Sequence, residues 1–150
     1  MSKENHVQTK IRDGSKEKFY NFFKCTVNLI TDICPNLVKS IQLADGTKTW
    51  EASPGTCKVI KFKPTSVQLN DGAIIEVKDT VTHVLDDSRT IIYEIENGGP
   101  LGDITKVKLE VTDENYARWT VYYTNTNPDG YLELLKSVNE AVDTYISTQH

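Results

Sequence analysis

Ile75-Glu76-Val77-Lys78-Asp79-Thr80-Val81-Thr82-His83-Val84-Leu85 reads at strand period. Its odd positions, Ile75, Val77, Asp79, Val81, His83 and Leu85, form a face apolar enough to point inward, yet it carries a carboxylate and an imidazole. A packed core rarely admits two unpaired ionisable groups, because burying a charge without a partner is costly. A cavity holding water or a polar ligand tolerates them. The stretch therefore predicts a hollow sheet protein.

The neighbouring run, Thr90 to Glu96, alternates with Ile91, Tyr93 and Ile95 on one face and Glu94 and Glu96 on the other. Directly opposed residues of a hairpin share a face, so an odd-with-odd register is expected. A three-residue loop, Asp87-Ser88-Arg89, would place His83 opposite Tyr93, with Cβ atoms about 5 Å apart. An imidazole and a phenol facing one cavity are suited to moving protons at a bound carbonyl or enol. Asp79 lies four residues back, about 13 Å away at strand rise, too far to orient His83. Against this, a histidine near a sheet end is commonly wetted, with its polar edge satisfied by water.

The rest of the chain supplies one architecture. His6 to Ile11 is a short strand, and Asp13-Gly14-Ser15 reads as a turn and N-cap. Phe19, Phe22 and Phe23 mark a short helix with Tyr20 off its apolar face. A second short helix, with Val27, Ile30, Ile33 and Cys34, ends against Pro35. Leu37 to Leu43 returns to strand. Asp45-Gly46 is a turn, Trp50 to Gly55 a loop, and Thr56 to Leu69 an extended run interrupted at Pro64. Asn70-Asp71-Gly72 signals a hairpin. Ala73–Asp86, Thr90–Glu96, Ile104–Thr112 and Tyr116–Thr124 are strands, and Gly98 to Gly102 is a loop at a cavity mouth. Tyr131 to Ser147 is a long helix with Leu134, Leu135, Val138, Ala141, Val142 and Tyr145 on its inner stripe. The fold class is α+β: a seven-stranded curved antiparallel sheet around a long C-terminal helix, with two short helices. One helix cannot fill the concave face of seven strands, so a cavity is expected.

Composition narrows the function classes. The 150 residues are 38% hydrophobic with mean hydropathy −0.43, as expected of a single globular domain spanning 1–150. A net charge of −4 supplies no basic stripe for nucleic acid. No apolar run reaches the roughly 20 residues that span a bilayer, and the polar start, MSKENHVQTK, is not a secretory signal. Cys25, Cys34 and Cys57 are odd in number and lack metal or redox spacing, so free thiols in a reducing, cytoplasmic setting are expected. No metal or cofactor motif is present.

Several runs carry a family resemblance. Lys18-Phe19-Tyr20-Asn21-Phe22-Phe23-Lys24 and Ile33-Cys34-Pro35-Asn36-Leu37-Val38-Lys39-Ser40-Ile41 resemble the plant major latex proteins of the pathogenesis-related class 10, birch-pollen-allergen-like superfamily. Val77-Lys78-Asp79, Ile95 to Asp103 and Arg118-Trp119-Thr120 match its strand and loop motifs in order. The resemblance implies a helix-grip fold, a large apolar cavity and binding of a small hydrophobic plant metabolite. It also implies a rival: a cofactor-independent cyclase, isomerase or condensing enzyme of terpenoid (iridoid) or alkaloid metabolism. The Lys48–Gly55 loop departs from the family, with Glu51 where a glycine is usual, which counts against anion binding there.

The expected ligand-binding residues are Val77, Asp79, Val81, Ile91, Ile95, Val121, Tyr123, Leu135, Val138 and Val142. His83 and Tyr93 are the candidate catalytic pair. Trp119 and the three phenylalanines are assigned to the core, Tyr123 to the cavity and His6 to the surface. Expected partners are the small ligand and, on the protein side, a weak dimer or a pathway enzyme.

Overall fold

The computed structural model describes residues 3–12, 16–63, 73–96 and 101–148. Seven strands form one antiparallel sheet: β1 (Lys3–Lys10), β2 (Val38–Leu43), β3 (Cys57–Phe62), β4 (Ile75–Leu85), β5 (Thr90–Ile95), β6 (Lys106–Val111) and β7 (Tyr116–Tyr123). Their spatial order is β1-β7-β6-β5-β4-β3-β2, so strands two to seven form a meander and the first strand closes onto the last. The helices are α1 (Lys16–Cys25), α2 (Ile30–Ile33) and α3 (Asp129–Thr148), with a 3₁₀ turn at Val27–Leu29 before α2. This is the expected α+β architecture. The turn and cap at Asp13–Ser15, the hairpin signal at Asn70–Gly72 and most of the Gly98–Gly102 loop lie outside the described residues.

Periodicity explains the layers. Along α3, Tyr131, Leu134, Leu135, Val138, Val142 and Ile146 are buried, whereas Ala141 and Tyr145 are half-buried. At 1.5 Å per residue this helix runs about 30 Å, enough to cross the concave face of the sheet. On α1, Phe19, Phe22 and Phe23 are buried as the spacing predicts. Tyr20 is buried too, against expectation, because its hydroxyl finds a partner: it donates to Asp86 Oδ1 at 2.7 Å. Lys24 Nζ bonds the other oxygen of Asp86 at 2.9 Å, tying α1 to the tip of the β4–β5 hairpin. Separately, Arg12 holds Asp143 on α3, with Nε–Oδ2 at 2.8 Å.

The β4–β5 hairpin departs from the expected register. Leu85 pairs with Thr90, Val84 with Ile91 and His83 with Ile92, but Val81 pairs with Tyr93, leaving Thr82 as an extra residue. This is a β-bulge, and an extra residue reverses the alternation beyond it. From Ile75 to Val81 the odd residues are buried. Past the bulge, Val84 turns inward while His83 and Leu85 face out, Leu85 at 47% exposure. The connection at the tip is four residues, Asp86–Arg89, with Arg89 in the left-handed region at φ 49°. His83 is therefore exposed and not opposite Tyr93; its Nδ1 lies 3.0 Å from Thr82 Oγ1.

Candidate functional site

A small void lies between the sheet and α3, and three adjacent strands give it a polar end. On β3, Lys58, Ile60 and Phe62 alternate inward; on β4, Asp79 stands directly opposite Lys58; on β5, Tyr93 and Ile95 follow. Val107 and Trp119 continue the wall across β6 and β7. Phe23, Val27, Ile30, Tyr131, Leu135 and Val138 close it from the helical side. The water-accessible volume is about 40 Å³. That is room for a water or two, far below the large cavity the resemblance implies. Aromatic side chains occupy the difference: Phe62 packs edge-on to Tyr131 at 6.2 Å, and Phe23 edge-on to Trp119 at 5.4 Å.

Lys58 and Asp79 form a buried ion pair. Lys58 Nζ donates to Asp79 Oδ1 at 2.6 Å, and the two residues are only 7% and 6% exposed. The same ammonium lies over the Tyr93 ring, 4.4 Å from its centroid, so the ring's negative face adds to its stabilisation. Burial raises the Asp79 carboxyl above its ordinary range, and the adjacent ammonium only partly offsets that. Tyr93 is pushed well up, first by burial and then by the Asp79 charge, and Tyr131 is raised for the same two reasons. Both phenols therefore stay protonated across the physiological range. Together they offer one cation, one carboxylate and two phenols inside apolar walls.

Trp119 is held from the helix. Its indole N–H donates to Asn139 Oδ1 at 2.6 Å, and Asn139 Nδ2 donates to the Ala117 carbonyl at 3.2 Å. Asn139 is fully buried on α3, and both of these bonds run across to β7. Trp119 also stacks on Tyr93 at 6.0 Å. The assigned core residue thus lines the void.

The expected site residues divide. Asp79, Tyr93, Ile95, Leu135 and Val138 line the void. Val77, Val81, Ile91, Val121 and Val142 are buried in the surrounding core. Tyr123 is half-buried against that core near the end of β7, and does not line the void. His83 is excluded by the bulge, and His6 is exposed on β1. Sequence reasoning missed Lys58, Tyr131 and Asn139. A signal for Lys58 existed: an inward Asp79 needs a counter-charge, and Lys58 is in phase with Ile60 and Phe62 on the adjacent strand.

The departing loop before β3 is committed to the protein itself. The N–H of Ala52 donates to Lys24 O, that of Ser53 to Thr56 Oγ1, and that of Gly55 to Val81 O. Those donors are not free to cradle an anion. Burial pushes the Cys34 thiol up to about 11, which removes the thiolate that nucleophilic chemistry needs.

No protein-family model matches the chain, and no curated protein does. Solved structures do. Ginseng major latex-like protein 151 from Panax ginseng superposes with a TM-score of 0.80 at 17% identity, covering 97% of each chain. Ara h 8.0201 gives 0.67 at 15% identity, over 99% of this chain and 100% of that one. Norcoclaurine synthase from Thalictrum flavum, in complex with dopamine and hydroxybenzaldehyde, gives 0.71 at 12% identity, over 100% and 89%. Identities this low carry architecture alone. The curved seven-stranded sheet gripping a long C-terminal helix is the fold this chain shares with major latex-like and pathogenesis-related class 10 structures.

Proposed function

We propose that the protein binds a small, largely apolar metabolite between the sheet and α3. The observation that carries this reading is the convergence of Lys58, Asp79 and Tyr93 at one end of an otherwise apolar void. Ligand sites are typically apolar enclosures with a few placed polar groups that fix orientation. Drug-sized ligands need about 300 Å³ or more, so binding has to part the aromatic side chains that fill the void. The three cysteines are free thiols, which suits the cytoplasmic setting expected from their number. Among the described residues, no helix is long and apolar enough to cross a membrane.

Trp119 lines the void, and with the other tryptophan replaced, Trp50→Phe, its fluorescence reports on the void directly. Titration with a panel of apolar metabolites and dyes is expected to change its fluorescence and raise the melting temperature. A panel that moves neither signal overturns the reading. The enzyme reading is favoured by one feature, the buried cation–carboxylate–phenol cluster, and it now rests on Lys58, Asp79 and Tyr93 in place of His83.

A further inference from the structure

We infer that Lys58 is a carbonyl-capturing amine, forming an imine with an apolar aldehyde or ketone held in the void, with Asp79 as its proton carrier. The inference rests on the binding reading above and names the ligand class of that site. Three features of the geometry support it. Lys58 lines the void and its side chain is sequestered from bulk water, so a bound carbonyl meets it without competition from solvent. Asp79 Oδ1, at 2.6 Å, stands where the ammonium proton must go. The Tyr93 ring beneath Nζ offers a face on which a flat cation can stack.

The step balances without any further reagent. The ammonium passes a proton to the Asp79 carboxylate, leaving a neutral amine and a carboxylic acid. The amine lone pair attacks the carbonyl carbon and its C–O double bond becomes single, and a proton moves from nitrogen to oxygen to give a carbinolamine. The carboxylic acid returns its proton to the hydroxyl, the C–O bond breaks, and one water leaves as the C=N⁺ bond forms. The void has space for that water. Ammonium and iminium carry the same charge, so the ion pair with Asp79 persists and no net charge enters the apolar interior. A carboxylate or amine ligand would add one, at a desolvation cost. Neutral carbonyl compounds are therefore the class this pocket accommodates. The raised carboxyl of Asp79 works in the same direction, since it eases the first transfer.

The test uses octanal with cyanoborohydride, which reduces the imine to a stable secondary amine, followed by intact mass measurement and peptide mapping. Octan-1-ol, which cannot form an imine, is titrated separately by Trp119 fluorescence in the Trp50→Phe background. Modification is expected at Lys58 about tenfold or more ahead of any exposed lysine, the advantage of a ligand held against the amine. Lys58→Arg, which keeps the charge, is expected to lose that adduct, and its circular dichroism checks that it folds. Should it not fold, mapping of the unaltered protein decides alone. Octanol binding together with modification spread evenly over surface lysines overturns the imine while leaving the binding reading intact. Failure of octanol and of the wider panel to bind overturns both.

Discussion

Lys58 and Asp79 give up their hydration for each other, and the geometry says what each is worth alone. A buried charge stripped of its partner is far costlier than the intact pair is beneficial. Lys58→Met and Asp79→Leu are each expected to cost about 3–5 kcal/mol in urea unfolding. The double variant is expected to recover most of that loss, because two apolar side chains leave no orphaned charge. Single variants that cost under about 1 kcal/mol would mean the pair is hydrated in solution. His83 behaves in the opposite way. Being exposed, with Thr82 as its hydrogen-bond neighbour, it is expected to tolerate alanine within about 0.5 kcal/mol. Apolar-dye affinity should not change either; a His83→Ala variant that loses dye binding would restore the inward register.

At the scale of elements, the joint between β7 and α3 depends on Asp103. Its carboxylate accepts N–H groups from Thr124 at 3.1 Å, Asn125 at 2.7 Å and Thr126 at 3.0 Å. These bonds, Thr126 foremost, hold its carboxyl far below the ordinary range. A carboxyl depressed in the folded state stabilises the fold above the unfolded value of about 3.9 and loses that contribution as pH falls below it. Thermal melts from pH 6 to pH 2 are therefore expected to decline more steeply for the unaltered protein than for Asp103→Asn. Parallel curves would remove Asp103 from the account. Gly102 serves the same joint. At φ +61° a side chain is strained, and a Cβ there would lie 2.5 Å from Thr126 Oγ1. That oxygen already accepts the Asp103 N–H at 3.0 Å, so it cannot swing aside freely. Gly102→Ala is expected to destabilise by at least about 1 kcal/mol, the left-handed penalty alone, read as a lower melting temperature.

For the whole molecule, the deciding quantity is how much of the sheet's concave face the aromatic side chains fill. Phe62, from β3, and Tyr131, from α3, meet across the void. Phe62→Ala is expected to cost about 3–5 kcal/mol of stability while enlarging the space. If ligands enter between sheet and helix, the same variant should bind an apolar dye more tightly, measured by fluorescence titration. Equal or weaker affinity would place the dye elsewhere.

Much of the architecture was legible in the chain. Period-2 runs such as Ile75–Val81 and Ile91–Ile95 and the 3.6-period stripe of α3 follow from local preference and burial, which act residue by residue. The site was legible only in part. Asp79 and Tyr93 reveal themselves as polar groups on apolar strand faces, and both line the void. His83 was misplaced because a single extra residue, Thr82, reverses a strand's facing, and nothing in an alternating run marks where the ladder slips. Lys58 shows its phase with Ile60 and Phe62 but not its partner, and Asn139 shows neither, because each owes its burial to a residue far away in sequence, Asp79 and Trp119. By itself the sequence determined the elements, their order and a carboxylate facing the interior. Only the tertiary structure decided which cation answers that carboxylate and how little of the interior stays empty. Pairing and packing are properties of residues brought together by folding, and they have no period along the chain.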